Sequence, residues 1–509
     1  MNFYIETVGC QMNTLDSELA AAELINAGWT QVESRKDAQL AIFNTCSVRE
    51  HAEEKIYSAL GRLKHWKTQK PGSLIVVMGC MAQKDKELIF RRAPCVDVVV
   101  GPGQIDQLVA LVERAAATNN PQIAVSLDRF QRRDDPKAMK ESFRQYDPIR
   151  MAQTRPRVFQ AMTRIMFGCN KFCSYCVVPS VRGPEQSRAP KDILREIRTL
   201  ADQGAKEIVL LGQTVNSYRY VEGEKVTRLV DLLVEIDKIP EVKRVRFVSA
   251  YPTDMTDDLL QAVRDLRTST PYLHVPAQHG ANSMLQRMRR HYTVEQYKDL
   301  VERIYATIPG ASITSDFIVG FSGETEEEFQ QTVDLVRFAR FKNSYIFKYS
   351  ERPGNEASRK FPDDIPEEVK KRRNNELLAV QNQVSYQGNQ QFLGKTVEIL
   401  VEGPSKREMK SVAQEETLYE EGQVADQTVD TMGALAHVPN ITTSLEEMTA
   451  SAARVSGAST QAQTVQMTGR TPCDRIVVFN GSRDMAGSFR RIKISHVGPM
   501  FLAGDLTEE

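Results

Sequence analysis

Three cysteines stand within eight residues, Cys169, Cys173 and Cys176, in the spacing Cys-x3-Cys-x2-Cys. Thiolates are soft ligands, and at this density they select zinc, copper(I) or an iron–sulfur cluster. A closed structural zinc site takes four ligands, commonly two pairs spaced Cys-x2–4-Cys. Neither a second pair nor a His-x3–5-His follows nearby. Three thiolates on a four-iron cluster leave one iron open, where a small molecule can chelate. A distorted zinc knuckle and three unrelated buried thiols are the other readings of these residues. Three more cysteines, Cys10, Cys46 and Cys80, are separated by 36 and 34 residues. Each taken alone reads as a small buried hydrophobe.

The elements around the second set bring it together. Four apolar, β-branched runs (Asn2–Val8, Gln39–Asn44, Ser73–Gly79 and Val96–Gly101) alternate with helical patterns over Leu15–Ala27, Val48–His65 and Ala82–Arg92. That alternation predicts a mostly parallel, doubly wound sheet. Cys10, Cys46 and Cys80 each fall just past a strand, so they arrive at one carboxyl edge, where open α/β sheets place ligands. A second cluster with three protein ligands is the expected result. Beyond a polar segment containing Arg132-Arg133-Asp134-Asp135-Pro136, the pattern restarts with strands expected at Val158–Phe167, Glu207–Leu211, Arg244–Ser249, Pro271–Val275, Ala311–Ile318 and Asn343–Tyr349. Helices are expected over Lys191–Gln203, Arg228–Ile239, Val294–Ala306 and Thr325–Phe341. Six strand–helix units predict a partial (βα)6 barrel carrying its chemistry at the strands' C-terminal ends. Short strands at Thr396–Val401, Asp474–Phe479, Gly487–Ile494 and Met500–Ala503 predict a small terminal β-barrel.

Phe167-Gly168-Cys169-Asn170-Lys171-Phe172-Cys173-Ser174-Tyr175-Cys176, at the end of a strand-like run, resembles the signature of radical S-adenosylmethionine (SAM) enzymes. With Thr7-Val8-Gly9-Cys10-Gln11-Met12-Asn13, Asn44-Thr45-Cys46-Ser47-Val48-Arg49-Glu50 and Gly79-Cys80-Met81-Ala82-Gln83, the chain is similar to the methylthiotransferases. Ser47-Val48-Arg49 is more like their tRNA-modifying branch. The terminal strands, with Leu400-Val401-Glu402-Gly403 and Gly469-Arg470-Thr471, resemble the RNA-binding TRAM barrel.

The resemblance implies a SAM-binding [4Fe–4S] cluster on Cys169, Cys173 and Cys176 and an auxiliary [4Fe–4S] cluster on Cys10, Cys46 and Cys80. It implies SAM contacts from Gly212, Gln213, Asn216, Arg182, Arg188 and Gln278. The implied reaction is methylthiolation at carbon 2 of isopentenylated adenosine at tRNA position 37. Threonylcarbamoyl-adenosine or a ribosomal aspartate are alternative acceptors, and a non-catalytic iron–sulfur RNA-binding protein is the alternative outside enzymology. Implied partners are an anticodon stem-loop carrying isopentenyladenosine, a flavodoxin- or ferredoxin-type electron donor and an unidentified sulfur source. Ser322, Tyr251, His279 and Ala281 depart from the residues that family commonly carries at those places.

The 509 residues suffice for about three domains. The expected bounds are 1–130, a linker at 131–154, 155–383, and 384–509 with an acidic insert at about 411–466. That insert carries eight acids against Arg454 and few aromatics, a composition unsuited to a packed core; a partner-binding helix around Leu445–Val455 is its alternative reading. Lys plus Arg and Asp plus Glu number 66 each, so bulk charge draws no nucleic acid and any RNA contact needs a local patch. Two basic stretches suggest themselves, Arg150–Arg188, with seven Arg or Lys against Glu185, and Gln286–Tyr292. Cys95 and Cys473 are expected to be structural. With no leader-like N-terminus and no long apolar run, a cytoplasmic monomer off the membrane is expected.

Overall fold

The computed structural model describes residues 1–47, 50–125, 150–409 and 464–507. Val48 and Arg49, the linker's 131–149 and the insert's 411–463, with the Leu445–Val455 helix reading, lie outside these residues.

The N-terminal sheet holds β1 (Asn2–Val8), β2 (Thr30–Gln31), β3 (Leu40–Thr45), β4 (Leu74–Met78), β5 (Val98–Val100) and β6 (Gln122–Ala124), in the order β2-β1-β3-β4-β5-β6. All its pairings are parallel. β3 and β4 are buried on both faces, as strands covered by helices on both sides must be. Leu40, Ile42, Val76 and Met78 meet Leu15, Leu19 and Leu24 of the helix Gln11–Asn26 and Leu108 and Val112 of the helix Leu108–Thr118. Ala41, Phe43, Ile75 and Val77 face the opposite layer, with Ile56, Leu60 and Leu63 of the helix Glu50–Gln69. The expected helix over Ala82–Arg92 is broken into Cys80–Asp85 and Leu88–Arg92, with Lys86 left-handed (φ +49°) between them.

The central region opens with β7 (Gln160–Arg164), followed by the short antiparallel pair β8 (Met166–Phe167) and β9 (Gln186–Ser187). Five further parallel strands follow: β10 (Glu207–Leu211), β13 (Arg244–Phe247), β14 (Tyr272–His274), β15 (Ser312–Val319) and β16 (Asn343–Lys348). They form two parallel sheets, β7-β10-β13 and β14-β15-β16. A backbone hydrogen bond from the Ala250 N–H to the His274 carbonyl (3.0 Å) joins β14 to the end of β13. The result is the six-stranded partial barrel expected. A hairpin of β11 (Arg219–Glu222) and β12 (Lys225–Arg228) adds to it. The N-terminal and central units share a core, for Leu211 at the end of β10 is buried in the same cluster as Leu15 and Met78.

The helix Glu367–Gln390 runs along β16 into the terminal barrel. That barrel is closed, β17 (Thr396–Pro404), β18 (Val465–Arg470), β19 (Ile476–Gly481), β21 (Phe501–Leu506) and β20 (Phe489–Val497), in that order. β18 starts at Val465, so the last two residues of the expected insert are strand. The β18–β19 turn, Thr471 to Arg475, enters the base of the central barrel. There Arg246 donates to the Thr471 carbonyl (2.9 Å) and Arg475 Nη1 to Ser312 Oγ (2.9 Å). Ser312 begins β15 and Arg244, which donates to the Arg470 carbonyl (2.7 Å), begins β13. The terminal barrel therefore plugs the N-terminal end of the central strands, opposite the loops that carry Cys169, Cys173 and Cys176.

Candidate functional site

Cys10 precedes the helix Gln11–Asn26 and Cys80 opens the helix Cys80–Asp85. Cys46 follows β3, its N–H bonded to the Val8 carbonyl (2.9 Å). Helix N-termini favour thiolate. The Cys10 thiol is lowered to about 6, chiefly by a hydrogen bond with the Cys46 side chain and also by the charge of Arg182. Burial pushes the Cys80 thiol up, with Arg182 opposing and Cys10 close enough to add to the rise. Cys10 thus stands beside Cys46 and within electrostatic reach of Cys80 at one sheet edge. An amide pair braces the loops: Asn13 Nδ2 donates to Asn44 Oδ1 (3.0 Å) and Asn44 Nδ2 to the Asn13 carbonyl (2.7 Å). Gly79 (φ +95°) lies so near that a Cβ would stand 2.3 Å from Asn44 Oδ1.

Cys169, Cys173 and Cys176 occupy the loop after β8 and couple to one another electrostatically. Burial and the Cys173 charge push the Cys176 thiol up to about 12. Each sulfur has one N–H donor: the Lys171 backbone on Cys169 (3.5 Å), the Val178 backbone on Cys176 (3.4 Å) and Arg290 Nη1 on Cys173 (3.3 Å). Arg290 lies over the rings of Tyr251 (4.5 Å) and Tyr292 (5.1 Å). The Cys169 N–H bonds the Gly183 carbonyl (3.2 Å), which ties the loop to the short helix Val178–Arg182. That helix begins two residues after Cys176 and ends on Cys80, where Arg182 Nε donates to the sulfur (3.2 Å). Both triads therefore flank one short helix. Among the described residues, no three His, Cys, Asp or Glu side chains are gathered around a single-ion position.

The residues expected around SAM divide. Gly212 and Gln213 follow β10, and the neighbouring Thr214 bonds Glu185 (3.2 Å) beside the cysteine loop. Gln278 sits left-handed (φ +69°) past β14, its backbone bonded to Asp316 and Ile318 of β15. Asn216 has both ends of its amide on the Tyr251 backbone (2.8 and 2.7 Å). Arg182 is turned to Cys80 and Asp16, and Arg188 to Glu196 (2.7 Å) and the Arg164 carbonyl.

The basic stretch Arg150–Arg188 is not a surface patch. Arg150, Arg155, Arg164, Arg182 and Arg188 are buried, and Arg150, Arg164 and Arg182 pair with acids far away in sequence. Arg150 pairs with Glu18 (2.7 Å) and Glu196 (2.5 Å), and Arg164 with Asp16 (2.9 Å). In the second stretch, Arg287 and Arg290 turn inward onto Ser322 and Cys173, while Arg289 stays exposed against Glu356. Asp16 and Arg164 carried no signal of their own, since their partners lie more than 140 residues apart. Cys95 packs beneath the Leu60 carbonyl, and Cys473 is buried against Thr471 and Arg475. No described helix is long and apolar enough to cross a membrane.

Residues 2–101 match the uncharacterized protein family UPF0004, and residues 163–336 match the radical SAM superfamily. The chain is 48% identical over 501 residues, 98% of its length and 94% of the relative's, to a tRNA-2-methylthio-N(6)-dimethylallyladenosine synthase of Rhodopirellula baltica. A second protein of that name, from Syntrophomonas wolfei, is 37% identical over all of this chain and 98% of its own. A third, from Protochlamydia amoebophila, is 42% identical over 79% of this chain and 85% of its own. Shared along nearly its whole length, this likeness makes the chain a member of the tRNA-2-methylthio-N(6)-dimethylallyladenosine synthase family of radical SAM methylthiotransferases.

Proposed function

We propose that this protein adds a methylthio group to carbon 2 of isopentenylated adenosine beside the tRNA anticodon. The observation that carries the reading is the pair of thiol triads meeting on either side of the helix Val178–Arg182. Carbon 2 bears an aromatic hydrogen with no acidity, so a His or Glu base cannot open the site to sulfur. Two [4Fe–4S] clusters and SAM, when bound, supply the radical that removes that hydrogen and the sulfur and methyl that replace it.

The donor set suits such clusters, since each set supplies three soft sulfurs. Cys169, Cys173 and Cys176 would hold the SAM-binding cluster, with the N–H donors from Lys171, Arg290 and Val178 easing negative charge on their sulfurs. Cys10, Cys46 and Cys80 would hold the auxiliary one. Gly212, Gln213 and Gln278, in the loops past β10 and β14, would contact SAM. Arg182, Arg188 and Asn216 are the further residues taken to bound its site. The terminal barrel is taken as the tRNA grip, and the enzyme as a cytoplasmic monomer supplied by a flavodoxin- or ferredoxin-type reductant.

The test is anaerobic turnover of the reconstituted full chain on two anticodon stem-loops, isopentenylated and threonylcarbamoylated, read by nucleoside mass spectrometry. Methylthio product on the first alone is expected. Product on the second alone, or 5′-deoxyadenosine formed with neither RNA modified, overturns the substrate assignment.

A further inference from the structure

The hairpin of β11 and β12 presents one exposed face. Its strands pair Arg219 with Arg228, Tyr220 with Thr227, Val221 with Val226 and Glu222 with Lys225. Alternation along the strands puts Arg219, Val221, Val226 and Arg228 on one side. Tyr220, on the other side, packs against the central core. Val221 is 49% exposed and Val226 39%, and both arginines are exposed. Like charges directly opposite each other across a strand pair repel. Asp258 offsets Arg228 at 2.6 Å, but no carboxylate is bonded to Arg219 among the described residues. Beside the two arginines lies a cavity of about 370 Å³, lined also by Ser217, Tyr218, Thr253 and Asp254. Asp254, the acid in that lining, accepts from Lys171 Nζ (2.6 Å) and from Ser217 Oγ, so its charge is already matched. Lys171 stands between Cys169 and Cys173, which places the cavity and the hairpin at the cysteine-bearing end of the barrel.

An exposed guanidinium beside an apolar pair suits a ligand that is anionic at one edge and apolar at another, as a nucleotide of an unpaired RNA loop is. Arginine can hold a phosphate through two N–H groups at once. The neighbouring cysteine loop, where the target nucleotide must arrive, favours RNA over an acidic protein. We propose that this face of the hairpin binds the phosphodiester backbone of the tRNA beside the nucleotide being modified. Arg219 meets a phosphate, and Val221 and Val226 meet the adjoining sugar. The inference rests on the tRNA reading above and adds to it a contact point at the cysteine-bearing end. One phosphate contact gives little affinity by itself, so the face steadies a loop that the rest of the molecule has already seized.

The test is fluorescence anisotropy of a labelled anticodon stem-loop with the full chain, titrated between about 50 and 200 mM salt. Arg219→Ala is expected to weaken binding about fivefold at about 0.15 M salt. It should also lower the slope of log affinity against log salt by about 0.7–0.9, the share of one phosphate. Arg219→Lys should keep most of the slope. Val221→Glu, which sets a negative charge on the same face, should weaken binding as well. Arg337→Ala, exposed on the helix Glu326–Ala339, should leave the slope as it is. An unchanged slope for Arg219→Ala, or an equal fall for Arg337→Ala, overturns the proposal. If the wild type binds no stem-loop, the tRNA reading itself fails and the inference falls with it. If RNA binding is untouched while polyglutamate is held by the wild type and lost by Arg219→Ala, the face belongs to an acidic protein and the proposal is overturned.

Discussion

Asp474 is the anion on which the docking of the terminal barrel turns. It sits left-handed (φ +66°) in the β18–β19 turn, within bonding reach of Arg246, Lys342 and Arg470. Burial alone would raise its carboxyl, but Arg470, Lys342 and Arg246 hold it far below the usual carboxylate range. Arg246 also has Glu207 (3.0 Å) and Arg470 has Glu402 (2.9 Å). Asp474→Ala therefore leaves three cations against two carboxylates in a buried space. Removing one partner of a buried pair costs about 3–5 kcal/mol. The low end applies here, because Lys342, already pushed down to about 8 by burial, can shed its proton while the arginines cannot. At roughly 2–4 °C per kcal/mol for a domain of this size, the loss is about 6–12 °C in unfolding midpoint. Calorimetry of the full chain at pH 7 measures it, with limited proteolysis reporting release of the terminal barrel. Asp474→Asn combined with Lys342→Met restores two cations facing two anions and should recover at least half the loss. A drop for Asp474→Ala under about 2 °C, or a double variant no better than the single, would show that charge balance does not hold this interface.

Three further expectations follow from other contacts. Cys173→Ala should abolish 5′-deoxyadenosine formation while leaving about four irons bound, whereas Cys46→Ala should spare it and stop sulfur insertion; methylthio product from Cys46→Ala would refute this division of labour. Gly168 is left-handed (φ +61°), with Cβ space only 2.1 Å from the Pro184 carbonyl oxygen. Gly168→Ala should therefore roughly halve the iron content, and full loading would contradict the contact. Lys342 titrates near 8 when folded against about 10.5 when unfolded, so between those values the unfolded chain holds more protons and stability rises with pH. Relative to Lys342→Met, the wild type should gain up to about 3 kcal/mol from pH 8 to 10.5; a gap that stays constant or moves the other way in paired melts refutes the assignment.

The inner strands of the N-terminal sheet are legible because β-branched runs such as Ile75-Val76-Val77 and Val98-Val99-Val100 admit little else between helices. The convergence of Cys10, Cys46 and Cys80 followed from strand order alone. The helix Glu367–Gln390 carries a weak sequence signal because its buried stripe is mostly polar, with only Leu377 and Val384 apolar among its buried residues. Lys370 bonds Asp363, Arg373 bonds Glu324, Gln381 bonds Ser344 and Asn389 bonds the Gly498 carbonyl, so no apolar period marks it. β2 and β6, of two and three residues, are too short to leave a pattern. The arginines between 150 and 188 look like a surface patch in the sequence for a related reason. Counting local acids assumes that charges are balanced locally, and here Asp16 and Glu18 on a distant helix do the balancing. Arg182 holds the carboxylate of Asp16, 166 residues away.

The terminal barrel and the sulfur-bearing loops occupy opposite ends of the same strands. β15 is eight residues long, so these ends are about 26 Å apart. If the terminal barrel is the RNA grip, the central barrel becomes a caliper: a hairpin clasped at one jaw brings its base to the other only when stem and loop bridge that gap. A shortened hairpin that keeps the target adenosine but loses the clasped stem would have to find the reactive jaw unaided.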